Sequence, residues 1–399
     1  MAGTELELVA GPIAAGGDAI AREPSGRVVF LSGALPDELV RVRITVEKRD
    51  YAKAAVTEVV EPSPDRVAPP CPNVERGCGG CSWQHIAPAR QLALKVGIVA
   101  DALRRTAKLP DATVIAGAPL PTTAFRTTVR LAIEPDGRLG YRAPRRHDIV
   151  AVDECLVAHP LIAELLRATR LPGAAEVTIR CGARTGERAA AWTAPQQHRV
   201  RPEGIPGDVR LGWDASITEI VDGRRLDASM GSFMQASPET AEALAAAVRL
   251  AAGDDALGEA RRVIDAYGGV GLFGVTVCPP DAELVLIESS PSACADARRN
   301  LVDRDATIVE TTVERWRAIP ADLVIADPSR KGLGRAGVAA LDATGCTRLV
   351  LVSCDPVAMA RDATLLAGQG FVHVGSTVLD PFPHTPHVEV VTRFDRRRR

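Results

Sequence analysis

From about residue 230 onward, short apolar runs alternate with helix-like stretches, and the runs stop abruptly at Gly, Asp, Glu or Cys. This alternation constrains the fold most, because parallel strands require crossover helices and few layer arrangements bury both faces of such a sheet. The pattern predicts strands at Arg262–Ala266, Leu284–Ile287, Asp322–Ala326, Arg348–Val352, Val372–Leu379 and Val388–Phe394. It predicts helices at Pro238–Ala252, N-capped by Ser237, at Ala293–Val302 and at Val357–Gly368. The expected class is α/β, a mostly parallel sheet flanked by helices. In that class ligands gather at the carboxyl ends of the strands.

Four strand ends carry chemistry. Asp265-x-x-Gly268-Gly-x-Gly271 follows a strand and opens a helix. Its glycines let backbone approach a ligand, and the helix start favours polar or anionic groups. Glu288 closes the next strand about twenty residues on, where an acid binds ribose hydroxyls. Together they fit a nucleoside-bearing cofactor such as S-adenosylmethionine. Asp327-Pro-Ser-Arg-Lys-Gly332 ends a third strand, and Leu351-Val-Ser-Cys354-Asp-Pro356 a fourth. A lone cysteine is as readily a small buried hydrophobe; the company of the other strand ends makes Cys354 a candidate nucleophile.

Residues 1–62 hold short β-like runs, Glu5–Val9, Arg27–Phe30, Leu39–Val46 and Ala54–Val60, punctuated by Gly and Pro turns. Their spacing suggests a small OB-type barrel. Arg22, Arg27, Arg41, Arg43, Lys48, Arg49 and Lys53 make it locally basic, which serves either a solvated face or an RNA contact. A linker, Pro62–Pro72, with five prolines, leads into Cys71-x6-Cys78-x2-Cys81. Three thiols among Gly and Pro can wrap a soft metal centre, iron–sulfur or zinc. Cys155 is the best placed fourth ligand and His85 the weaker choice. Pro88–Lys108 reads as an amphipathic helix with Leu92, Val96, Val99 and Leu103 inside and Arg90, Lys95, Arg104 and Arg105 outside. Strands at Thr127–Ile133, Glu176–Arg180 and Ala189–Trp192 follow, with Arg126, Arg130, Arg138, Arg142, Arg145 and Arg146 serving either phosphate contact or a plain solvated sheet. The terminal Arg396–Arg399 run reads as a tail.

Formal charge is −2, with 48 Lys+Arg against 50 Asp+Glu, so any nucleic-acid contact must be a local patch. No stretch approaches eighteen uninterrupted apolar residues, and no signal-peptide pattern opens the chain, so no membrane span is expected. Nine cysteines without a secretory signal point to a reducing, cytoplasmic setting.

These motifs resemble the RNA uracil-5-methyltransferases that combine a TRAM domain with an iron–sulfur cluster, and the match runs nearly end to end. Gly26-Arg-Val-Val-Phe-Leu-Ser-Gly-Ala-Leu-Pro36, Tyr51-Ala-Lys-Ala and Glu61-Pro-Ser-Pro-Asp-Arg-Val67 resemble TRAM, with Asp37 where the family has Gly. Ser232-Phe-Met-Gln235 resembles the Phe-x-Gln signature, and Phe382-Pro-His-Thr-x-His-Val-Glu389 the segment carrying the general base. The resemblance implies a Rossmann-like class I methyltransferase domain over 230–399, an OB-like TRAM barrel over 1–64, and a central α+β domain over 65–229. It assigns Cys71, Cys78, Cys81 and Cys155 to a [4Fe-4S] cluster, with zinc the alternative. It gives Gln235, Tyr267, Glu288 and Asp327 to S-adenosylmethionine, Cys354 to nucleophilic attack and Glu389 to proton removal. Six residues between the first two cysteines is one more than the family pattern. Leu272, Ser329 and Asp355 depart from its usual Asn, Pro and Asn. The implied activity is methylation of carbon 5 of a uridine, in 23S rRNA before tRNA, with no obligate protein partner. A non-catalytic TRAM-type RNA-binding protein is the rival reading.

Overall fold

The computed structural model describes residues 5–144, 148–196 and 199–397. Arg145, Arg146, Arg398 and Arg399 lie outside them. The first sheet contains β1 (Glu5–Val9), β2 (Ala19–Arg22), β3 (Val28–Ser32), β4 (Leu39–Glu47) and β5 (Tyr51–Glu61), in the order β1-β4-β5-β3-β2. Edge strands β1 and β2 lie against each other, which curls the sheet into a barrel. Val29, Leu31, Val40, Val42, Ala52 and Ala54 alternate inward and fill it. Asp37 sits at φ +68°, which explains a family preference for Gly at this turn. Part of the basic face is engaged in exposed ion pairs: Arg41 pairs with Glu7 and Glu58, and Arg43 with Glu5.

The second sheet contains β7 (Thr128–Ile133), β8 (Leu139–Arg142), β9 (Ile149–Ala151), β10 (Glu176–Cys181), β11 (Arg188–Thr193) and β12 (Val209–Leu211). A hairpin of β13 (Ser216–Val221) and β14 (Arg224–Ser229) follows. Three of the six arginines named for phosphate contact take part in ion pairs. Arg130 pairs with Glu176, Arg142 lies 3.6 Å from the same carboxylate, and Arg138 holds Glu134 and Asp136.

The third sheet, with eight strands, positions the site. Its strands are β6 (Val114–Ala116), β15 (Arg262–Ala266), β16 (Glu283–Glu288), β17 (Ala306–Glu310), β18 (Leu323–Ala326), β19 (Arg348–Ser353), β20 (Phe371–Leu379) and β21 (Glu389–Arg396). The order is β17-β16-β15-β18-β19-β21-β20-β6, parallel from β17 to β19, with β21 antiparallel to both its neighbours. Strands β18 and β19 are buried at every residue, as covering on both faces demands. One face packs against α3 (Pro238–Ala252), α5 (Leu272–Thr276) and α6 (Pro291–Asn300). The other packs against α1 (Pro88–Ala102), α7 (Gly334–Asp342) and α8 (Pro356–Gly368). Ser237 caps α3 by accepting from Thr240 N–H, as the sequence suggested. Helix α1 and β6 therefore join the C-terminal sheet although they precede residue 229.

Two expectations fail here. Lys95 was placed on the outer face of α1, yet it is fully buried: α1 is covered on two sides, by the C-terminal sheet and by the barrel side at Trp83. Its ammonium pairs with Asp380 and donates to Phe382 O at 3.3 Å. Arg396 belongs to β21 and not to a tail, paired with Asp342 at 2.8 Å and stacked 4.3 Å from the Phe371 ring. No helix among the described residues is long and apolar enough to cross a membrane.

Candidate active site

The carboxyl edge of the eight-stranded sheet opens on a cavity of about 600 Å³. Its lining includes all six residues proposed from sequence for cofactor and catalysis: Gln235, Tyr267, Glu288, Asp327, Cys354 and Glu389. Each arrives from a different place in the chain: the turn before α3, the β15–α5 turn, and the ends of β16, β18, β19 and the start of β21. A parallel sheet brings exactly such remote strand ends to one edge, which is why they were legible as a group.

The β15–α5 turn is shaped by its glycines. Gly269 and Gly271 adopt φ of +55° and +89°, and a Cβ on Gly268 would come within 2.5 Å of Leu286. Tyr267 shares the left-handed conformation at φ +60°, and its hydroxyl donates to Glu314 at 2.9 Å. Glu288 fixes the turn by accepting from Gly269 N–H at 3.1 Å, and it accepts from Ser289 and Ser290 N–H at 2.6 and 2.7 Å. Asn300 braces the other side, donating to Val270 O at 2.8 Å. Leu272, where the family has a polar residue, is buried in the core and lines the cavity.

At the other end, Cys354 stands half-buried between β19 and α8. Asp355 caps α8, accepting from Val357 and Ala358 N–H at 3.0 and 2.8 Å. Asp serves this capping role as well as Asn does, so the departure leaves the turn built as expected. Burial, with Glu389 and Asp327 nearby, pushes the Cys354 thiol up to about 11, while Arg330 pulls it down. Burial, with Asp327 adding to it, lifts Glu389 well above the usual carboxylate range, again opposed by Arg330. Burial pushes Asp327 up to about 7. Beneath the glycine turn, Asp265 is fully buried, and burial, with Asp327 adding to it and the Gly274 N–H opposing, pushes it up to about 8. Two acids with raised values, Asp327 and Glu389, line one cavity with the Cys354 thiol, which marks it as a candidate site.

Several lining residues were not singled out from sequence: Thr127, Glu219, Thr311, Glu314, Arg330 and Phe382. Arg330 and Phe382 lie inside quoted motifs, so those motifs held the signal. Thr127 and Glu219 come from the middle sheet and its hairpin, and no local pattern announces them.

A second cavity, of about 20 Å³, is lined by Cys71, Cys78, Cys81 and Cys155, with Tyr141 and Arg126. Cys155 lines it and His85 does not. The loop closes through Cys78 N–H to Asn73 O at 2.8 Å, and Asn73 donates to Glu154 O at 2.7 Å. Burial raises the Cys78 and Cys81 thiols, the latter to about 11. Although the four thiols ring one cavity, no three ligand-type side chains among the described residues are drawn together as a ready ion site. The donor set, four soft thiols, fits a thiolate-held centre.

This architecture is that of an S-adenosylmethionine-dependent methyltransferase carrying a TRAM domain, whose family model matches residues 3–57. It is 35% identical to an uncharacterized RNA methyltransferase of Streptomyces coelicolor, over 98% of this chain and 93% of that one. It is 31% identical to the 23S rRNA (uracil(1939)-C(5))-methyltransferase of Chromohalobacter salexigens, over 95% and 87%. In fold it is similar to the Pyrococcus abyssi tRNA (uracil-54, C5)-methyltransferase, solved with S-adenosyl-L-homocysteine: TM-score 0.77 at 22% identity, over 98% and 100% of the two chains. The chain belongs to the RNA uracil-C5 methyltransferase family.

Proposed function

We propose that this chain methylates carbon 5 of a specific uridine in RNA through a covalent adduct on Cys354. The observation that carries the reading is one cavity lined by Cys354, Glu389 and the glycine turn with its acid, Glu288. Carbon 5 of uracil is a weak nucleophile, and methylation of an amine or hydroxyl would need no thiolate. The Cys354 sulfur adds to carbon 6, and the electron pair of the ring double bond moves toward carbon 5 and the 4-oxygen. S-adenosylmethionine, when bound, would supply the methyl group that carbon 5 receives, its sulfonium–methyl bond breaking to leave S-adenosylhomocysteine. Glu389 then takes the proton from carbon 5, the double bond re-forms, and the Cys354 thiolate leaves. Gln235, Tyr267, Glu288 and Asp327 hold the donor, with Glu288 on the ribose. A uridine must leave its stack to reach this depth.

The barrel over residues 1–64 and the central part over 65–229 hold the RNA, and residues 230–399 carry out the chemistry. Cys71, Cys78, Cys81 and Cys155 hold a [4Fe-4S] cluster. What supports a thiolate-held centre is the donor set, four cysteines lining one cavity; zinc is the alternative. A thiolate-held cluster and a free nucleophilic thiol fit a reducing cytoplasm. The substrate is 23S rRNA before tRNA, because relatives named for 23S rRNA align over nearly the whole chain.

The test uses labelled S-adenosylmethionine with 23S rRNA and tRNA from cells lacking this gene, read by nucleoside mass spectrometry. Label in 5-methyluridine from one pool names the substrate; label in neither, with the protein folded, sinks the reading in favour of a non-catalytic RNA-binding protein. Glu288→Ala should weaken donor binding about 10- to 100-fold by calorimetry, the scale of a hydrogen bond to a charged group. Unchanged donor affinity would remove Glu288 from the ribose role.

A further inference from the structure

The loop joining β20 to β21 places two cavity residues: Phe382 within it and Glu389 at its exit, where Glu389 pairs with Leu379. This loop is held from outside the C-terminal sheet. Lys95, fully buried on α1, pairs with Asp380 at the loop entrance and donates to Phe382 O. One turn earlier on the same helix, Gln91 is also fully buried. Its Oε1 accepts from His384 N–H at 2.6 Å, and its Nε2 lies 3.3 Å from His384 Nδ1. Since His384 Nε2 faces Thr122 O at 3.0 Å, Nε2 carries the proton there, and Nδ1 accepts from Gln91. Trp83, in the cysteine segment, donates its backbone N–H to His384 O at 2.8 Å, and the Lys95 ammonium lies 5.7 Å from the centre of its ring. His384 itself sits at φ +64°, a conformation that a non-glycine residue keeps only where its surroundings fix it.

The other parts of the site are held differently. Cys354 is set by β19 and the Asp355 cap, and the glycine turn by Glu288 and Asn300; neither support touches this loop. A fault in the loop would therefore displace Phe382 and Glu389 and spare thiol attack and donor binding.

We propose that Lys95 and Gln91 are positioning residues for the proton-removal step: they clamp the 380–388 loop so that Glu389 faces carbon 5 of the nucleotide held on Cys354. The inference rests on the covalent reading above and adds the elements that align its second half. A displacement near 1 Å costs about 100-fold in such a step. Loss of the clamp slows release of the methylated adduct and leaves its formation intact.

The test compares the full-length wild type with Lys95→Met/Asp380→Asn, which breaks the tie without leaving a buried charge unpaired. The RNA is the one the wild type methylates. The double variant should turn over about 10- to 100-fold more slowly. Its kcat/KM for RNA and for donor should stay within about 3-fold, so that KM falls along with kcat, and the fraction of enzyme in denaturation-resistant RNA adduct should rise. Gln91→Met should give the same signature, smaller, and decides the matter if the double variant does not fold. Introduced on top of Glu389→Gln, the double change should produce little further slowing, because both act on one step. Wild-type turnover in both folded variants overturns the proposal. Turnover and adduct formation falling in parallel overturns it too, since that marks a merely structural pair. A wild type that forms neither 5-methyluridine nor adduct removes the covalent reading first, and the clamp falls with it.

Discussion

Cys354→Ala should lower turnover by at least about 10⁴-fold, the scale seen when a covalent nucleophile is deleted. It should also remove every denaturation-resistant protein–RNA species. The side chain is half-buried at a capped turn, so the change deletes a sulfur and little packing, and the thermal midpoint should move little. Donor binding should stay within a few-fold, because the glycine turn and Glu288 stand on different strands. Nucleoside mass spectrometry and a denaturing gel check the two halves together. Retained methylation would mean that carbon 5 is activated without a thiolate, and the mechanism would be wrong. Lost methylation with lost donor binding would mean instead that the substitution damaged the site.

The C-terminal half was legible because its signals are local and mutually consistent. Apolar runs bounded by Asp, Glu, Gly and Cys predicted β15, β16, β18 and β19 nearly to the residue, and parallel pairing then placed their ends together. What escaped has physical causes. Lys95 looked solvated because its helix has a second buried face that periodicity counts as polar, and only its pairing with Asp380, 285 residues on, makes burial tolerable. Strand β6 is three residues long and earns its place by pairing with β20, a contact no local window contains. Strand β2, four residues after a Gly-Gly turn, went unseen for the same reason. The basic reading of the barrel overlooked that Arg41 and Arg43 lie opposite Glu7, Glu58 and Glu5 across neighbouring strands, where cross-strand register decides whether a charge is free.

Glu389→Gln should behave in the opposite way to Cys354→Ala. With no base to take the carbon 5 proton, the thioether to carbon 6 cannot be expelled, and methylated adduct should accumulate toward one per enzyme while turnover falls about 100- to 10,000-fold. The amide is nearly isosteric, and no salt bridge among the described residues depends on the buried Glu389 carboxylate, Arg330 acting only as a nearby charge, so folding should hold. The wild type supplies the matching pH experiment. Burial raises Glu389 above its ordinary value of 4.5, so the proton-accepting form is lost as pH falls through that raised value, higher than for an exposed carboxylate. Adduct isolated from the wild type and moved to a series of buffers should therefore decay more slowly as pH falls, with the break above 4.5. Adduct isolated from Glu389→Gln should decay slowly at every pH. Starting from isolated adduct separates this step from attack by Cys354, whose thiol is itself pushed up to about 11 and would otherwise impose its own pH dependence. If wild-type adduct decays at one rate across the series, or if Glu389→Gln releases it as fast as the wild type, the base is another group. Asp327, which lines the same cavity and is pushed up to about 7, would be the next residue to change.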